Sequence, residues 1–140
     1  MRIGKDFSFE AAHRLQNHNG KCRNLHGHSY RVFVSVEGDN NLTVGGSSEG
    51  MLFDFGVLSE WWKPIEANFD HVAILQENDP LIEGLAACQS RMAIFPWPPT
   101  AEHLAYWLQG DLHKWLLTQL GTNFSVTVRV YETAKSWAEV

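Results

Sequence analysis

The chain has 140 residues, 44% hydrophobic and 12% aromatic, enough apolar material for the core of one domain spanning residues 1–140. Sixteen acidic against eleven basic residues leave a formal net charge of −5 without a Lys/Arg block, which sets nucleic acid aside as a partner. No apolar stretch reaches the roughly 18 residues of a membrane span, and no secretory leader is visible, so a soluble, cytoplasmic protein without membrane contact is expected. Two cysteines, Cys22 and Cys88, are too few for a disulfide framework and are expected as thiols.

Phe7, Phe9, Ala11 and His13 share one parity, the period-two pattern of a half-buried strand, and His13 lies on its apolar face. The polar segment Arg14 to Leu25 contains Asn-Gly and reads as a loop. Its Arg14, Lys21 and Arg23 are the basic residues nearest the histidines and could receive a small anionic ligand. A second strand is predicted from His26 to Glu37, where His26, His28, Tyr30, Val32, Val34 and Val36 occupy one face.

After a Gly/Asn/Ser-rich turn (Gly38 to Gly50), Met51 to Phe53 reads as a short strand. Asp54 is placed to cap a helix whose apolar stripe is Val57, Leu58, Trp61, Trp62, Ile65 and Phe69, with Pro64 predicting a kink or break. Leu75 to Pro99 holds four of the five prolines and reads as an irregular connection containing one short helix (Pro80 to Gln89) and one short strand (Met92 to Phe95). A second main helix starts after Thr100 as N-cap, carries Leu104, Trp107, Leu108, Leu112, Trp115 and Leu116, and stops at Gly121. Phe124, Val126, Val128, Val130 and Glu132 then share one strand face, and a last short strand is predicted from Ser136 to Val140. The order β-β-α-α-β predicts an α+β domain in which two helices cover one face of an antiparallel sheet.

His26 and His28, two apart on a strand, leave the same face with Cα atoms about 7 Å apart, and His13 can add a third nitrogen from the neighbouring strand. Three nitrogens suit zinc and leave one tetrahedral position open, as in catalytic sites. Any one of the seven histidines alone is more ordinary as a buried hydrogen-bonding group; three at adjacent strand ends favour metal. Cys22 is four residues before His26, in the loop that must cross this site, where a cation and basic neighbours favour thiolate. Spacing leaves open whether it is a base or a fourth ligand; Cys88 reads as a bystander. Asp70-His71 can be a proton-transfer pair only if a turn brings the adjacent side chains together, and otherwise caps a helix end. Glu132 is a carboxylate on an apolar face, which calls for a ligand offering two parallel N–H groups or for a buried ion pair. Glu102 can simply favour the dipole of its helix.

FSFEAAHRL (7–15), CRNLHGHSY (22–30), GMLFDFGVL (50–58), FDH (69–71), PTAEHLA (99–105) and VYET (130–133) occur in order over nearly the whole chain. Together they resemble the 6-carboxytetrahydropterin synthases, relatives of 6-pyruvoyltetrahydropterin synthase in the tunnelling-fold group. The Cys-x-x-x-His-Gly-His spacing is similar to that of the carboxy-forming branch. The resemblance implies zinc-dependent conversion of 7,8-dihydroneopterin triphosphate to 6-carboxy-5,6,7,8-tetrahydropterin, acetaldehyde and triphosphate, a step toward 7-deazaguanine compounds such as queuosine. It implies His13, His26 and His28 as zinc ligands, Cys22 as general base, Asp70 and His71 as a proton-transfer pair, and Glu132 as pterin anchor. It also implies a homohexamer whose sheets join into a β-barrel, with sites between subunits.

His103 stands where the family commonly has Asn, the 78–98 connection is long, and only eight residues follow Glu132. These departures bear on substrate contacts, and Lys135, Lys21 and Arg23 are candidates for the triphosphate. The alternatives are a sister enzyme that forms the pyruvoyl product or only cleaves the side chain, and a non-catalytic zinc-containing module that binds pterins or purines.

Overall fold

Period-two alternation does produce a strand ending at His13, but the strand begins at Arg2 rather than Phe7. In the computed structural model, which describes residues 1–140, the elements are β1 (Arg2–His13), β2 (His26–Glu37), α1 (Gly56–Phe69), β3 (Val72–Gln76), α2 (Leu81–Ala87), β4 (Met92–Phe95), α3 (Ala101–Leu120), β5 (Ser125–Thr133) and β6 (Ser136–Glu139). All six strands form one sheet in the order β4-β3-β1-β2-β5-β6. The pairs β1/β2, β2/β5 and β5/β6 are antiparallel, whereas β1/β3 and β3/β4 are parallel. The sheet is therefore mixed, not wholly antiparallel as expected; α1 and α3 are the two helices expected against it, and α2 is the short helix expected near Pro80 to Gln89, with no buried residue.

The difference arises within 70–99. Val72, Ala73, Ile74 and Leu75 are all buried, so this strand is covered on both faces and carries no polar alternation to announce it. Short helix α2 crosses from β3 to β4, which makes those two strands parallel. The expected strand at 51–53 does not form; Phe53 is buried because its ring packs edge-on against Phe124, centroids 5.5 Å apart.

Helix α1 runs unbroken through Pro64. Pro64 is exposed, so the backbone acceptor it leaves free faces solvent while Trp61, Trp62, Ile65 and Phe69 stay on the buried stripe. Asp54 Oδ1 accepts from the Gly56 N–H at 2.6 Å just before the helix, although the N-cap position itself is Phe55. Thr100 caps α3 by accepting from the His103 N–H. Gly121 ends α3 with φ 65, a conformation that favours glycine. Trp61 Nε1 donates to Asp111 Oδ2 at 2.8 Å and ties α1 to α3.

Helices α1 and α3 cover the face formed by Phe9, Ala11, Tyr30, Val32, Val34, Val36, Val126, Val128 and Val130, and these residues join one core with Leu58, Trp61, Leu104, Leu108, Leu112 and Leu116. His13, His28 and Glu132 continue the same parities past the apolar residues. No helix is long and apolar enough to cross a membrane.

Candidate metal centre

Strand pairing places the histidines. His13 closes β1 and stands directly opposite His26, the first residue of β2, while His28 pairs with Ala11. The three rings converge, with centroids 4.6 Å apart for His13 and His26, 5.1 Å for His13 and His28, and 4.9 Å for His26 and His28. One nitrogen from each lies within 4.8 Å of the others. Gly27 between the two β2 histidines keeps the strands close, because a Cβ there would come within 3.3 Å of the Ala11 carbonyl oxygen.

Backbone carbonyls set the ring orientations. Pro99 O lies 2.7 Å from His13 Nδ1, and Asn24 O lies 2.8 Å from His26 Nδ1. A carbonyl only accepts, so each Nδ1 carries the proton and each neutral ring keeps its electron pair on Nε2. His13 is 2% exposed, and its Nε2 is buried without a hydrogen-bond partner in the chain. Burial lowers the His13 pKa to about 4, with the Pro99 carbonyl opposing and His26 and His28 assisting. Burial, then His26, also lowers His28. Near neutral pH His13 is thus unprotonated, the form that gives a lone pair to a metal. A buried nitrogen without a partner, facing two more imidazoles, fits a divalent cation such as zinc, with one tetrahedral position left open.

Glu132 extends the site from β5. Its Oε1 lies 4.0 Å from His13 Nε2. Burial raises its pKa, Glu102 adds to the effect, and His26 and the Ala101 backbone oppose it. A half-buried carboxylate at the start of α3 is suited to accept hydrogen bonds from an N–H-bearing ligand.

Cys22 occupies a single 3-10 turn, Lys21–Arg23, as a half-buried free thiol. It is not part of the three-nitrogen set. Asp70 and His71 do meet: His71 takes a positive φ of 57, and its Nδ1 lies 2.8 Å from Asp70 Oδ2. Asp70 Oδ1 accepts from the Glu10 N–H at 2.8 Å. That backbone bond is the main reason its pKa is lowered, followed by His71. The His71 side chain is 76% exposed. A depression of about 570 Å³ is shared by His28, His71, Glu10, Ser29 and Arg91.

Arg14 is not free for an anion, contrary to expectation, because its guanidinium is committed to Asp79. Lys21, Arg23 and Lys135 remain exposed, and Cys88 is exposed at the end of α2. His103 stacks on Trp97, with centroids 5.4 Å apart. The carbonyls of Asn24 and Pro99 and the carboxylate of Asp79 escaped sequence reasoning. A backbone acceptor has no residue signature, and the Arg14–Asp79 pair spans 65 positions.

The chain is 40% identical over 137 residues to the 6-carboxy-5,6,7,8-tetrahydropterin synthase of Synechocystis, covering 97% of this chain and 89% of that protein. An uncharacterized protein from Wolinella succinogenes superposes with a TM-score of 0.82 at 26% identity, covering 100% of this chain and 97% of the other. The 6-pyruvoyl tetrahydropterin synthase of Plasmodium falciparum shares the fold, with a TM-score of 0.73 at 21% identity and coverage of 100% and 96%. The family model described as 6-pyruvoyl tetrahydropterin synthase matches residues 2–140, and the chain belongs to that family, with the tunnelling fold its structural neighbours share.

Proposed function

We propose that this chain converts 7,8-dihydroneopterin triphosphate and water to 6-carboxy-5,6,7,8-tetrahydropterin, acetaldehyde and triphosphate; the first product is the one for which its Synechocystis relative is named. We place the reaction in 7-deazaguanine (queuosine) synthesis. The observation that carries the reading is the convergence of three imidazole nitrogens within 4.8 Å beside the half-buried Glu132. His13, His26 and His28 would hold zinc, which supplies Lewis acidity to the hydroxyl-bearing side chain of the pterin.

The remaining steps belong to the chain's own groups. Glu132 accepts two hydrogen bonds from the amino-pyrimidine edge and fixes the orientation of the ring. Cys22 removes a proton from the side-chain carbon as thiolate, a role that its position outside the nitrogen set supports over that of a fourth ligand. Ionised Asp70 accepts from His71 Nδ1–H, so Nε2 of that ring is free to exchange a proton with the substrate. With His71 exposed and β4 and β6 at the open edges of the sheet, a homohexamer that completes each site across a subunit boundary accommodates these groups.

Incubating the zinc-loaded protein with 7,8-dihydroneopterin triphosphate and measuring acetaldehyde and pterin products tests the reading. Acetaldehyde with 6-carboxytetrahydropterin is expected. A pyruvoyl product would reassign the branch, and pterin binding without turnover would refute the enzyme.

A further inference from the structure

The Arg14–Asp79 pair joins two parts of the chain beside the histidines. Asp79 is 3% exposed, and its carboxylate receives Arg14 Nε at 2.8 Å through Oδ2 and Arg14 Nη2 through Oδ1. Oδ1 also accepts from the Leu81 N–H at 2.8 Å at the start of α2. The pair lowers the Asp79 pKa against the opposing effect of burial, which is the largest single influence, while Arg14 is raised. Arg14 directly follows His13, and the next residue, Leu15, donates its N–H to the Cys22 carbonyl at 2.8 Å. A bidentate ion pair thus anchors the base of the loop, and one backbone bond carries that anchor to the residue bearing the thiol. No other side-chain hydrogen bond of Arg14 competes with this arrangement.

We propose that Arg14, held by Asp79, is a positioning residue that sets where the Cys22 thiol stands against the three histidines. The proposal rests on the reading of Cys22 as the base. A guanidinium makes two parallel bonds to a carboxylate where an ammonium presents a single point of charge, so lysine keeps the charge and loses the orientation. Small displacements of a reacting group cost rate far more than they cost substrate binding.

The test uses the zinc-loaded full chain in a Cys88→Ala background, where Cys22 is the one remaining thiol. Arg14→Lys is compared with that parent for zinc content, alkylation rate of Cys22 by iodoacetamide, kcat and KM. Zinc is expected to stay at the parental level, alkylation to change several-fold, and kcat to fall by about tenfold or more with KM within about threefold. Alkylation and kcat both within about twofold of the parent, in a folded variant, would overturn the proposal. Should Arg14→Lys not fold, Asp79→Asn carries the same comparison, since it retains an acceptor for the Leu81 N–H. Failure of both to fold would assign the pair a purely structural role. Because the alkylation arm needs no turnover, an inactive parent would count against the proposed reaction while leaving the positioning claim decided.

Discussion

At the scale of single residues, three nitrogens that could hold a metal stand apart from the groups proposed to act on the ligand. Cys22 lies outside the nitrogen set, so Cys22→Ala is expected to abolish turnover with zinc content unchanged by metal analysis. Loss of zinc would instead make the thiol a ligand. Glu132→Gln replaces an acceptor of two N–H bonds with a group that can accept only one of them; KM for the pterin should rise by about tenfold or more while zinc is retained. The candidate residues were legible because they break a pattern. Histidines and a glutamate on faces otherwise built of valine need a reason to be there, and strand parity alone put all of them on one side. The carbonyls of Pro99 and Asn24 break no pattern, although they decide which nitrogen of His13 and His26 is free.

At the scale of elements, sequence periodicity succeeded where one face meets water and failed where neither does. Helix α3 shows its N-cap, stripe and stop in the residues themselves. The stop can be tested: Gly121→Ala forces a side chain into a φ of 65 and should cost about 1 kcal/mol in urea unfolding without changing kcat. Strand β3 was invisible because Val72 to Leu75 are buried on both sides and form a short apolar run without alternation. Missing it removed two parallel pairings and gave the sheet the wrong character. Pro64 misled in the other direction: in sequence it breaks a helix, but its exposed position allows α1 to continue.

At the scale of the whole molecule, the metal site and fold stability are coupled through His13. In the metal-free chain its folded pKa, about 4, lies below the ordinary value of 6.5. Between those values the unfolded chain binds more protons than the folded one, so this contribution is complete above pH 6.5 and is lost as pH falls toward 4. Thermal unfolding of the chelated protein from pH 7 to 4 should therefore show a decline on the order of 3 kcal/mol from this group. Zinc at saturating concentration should raise the midpoint at pH 7, since it favours the arrangement in which all three rings converge over the unfolded chain. A flat pH profile of the chelated protein would contradict the buried, neutral His13.

The bond from His13 to the Pro99 carbonyl links positions 86 residues apart, whereas the histidines themselves come from one hairpin. During folding, β1 and β2 can gather the three rings early, but the proton on His13 Nδ1 finds its acceptor only after the chain has passed through α1, β3 and β4. A metal with visible absorption, such as cobalt, should accordingly bind in two phases during refolding: a loose capture by the hairpin, then a tightening when residues 96–100 arrive. The coordination centre would serve as a clock for long-range assembly.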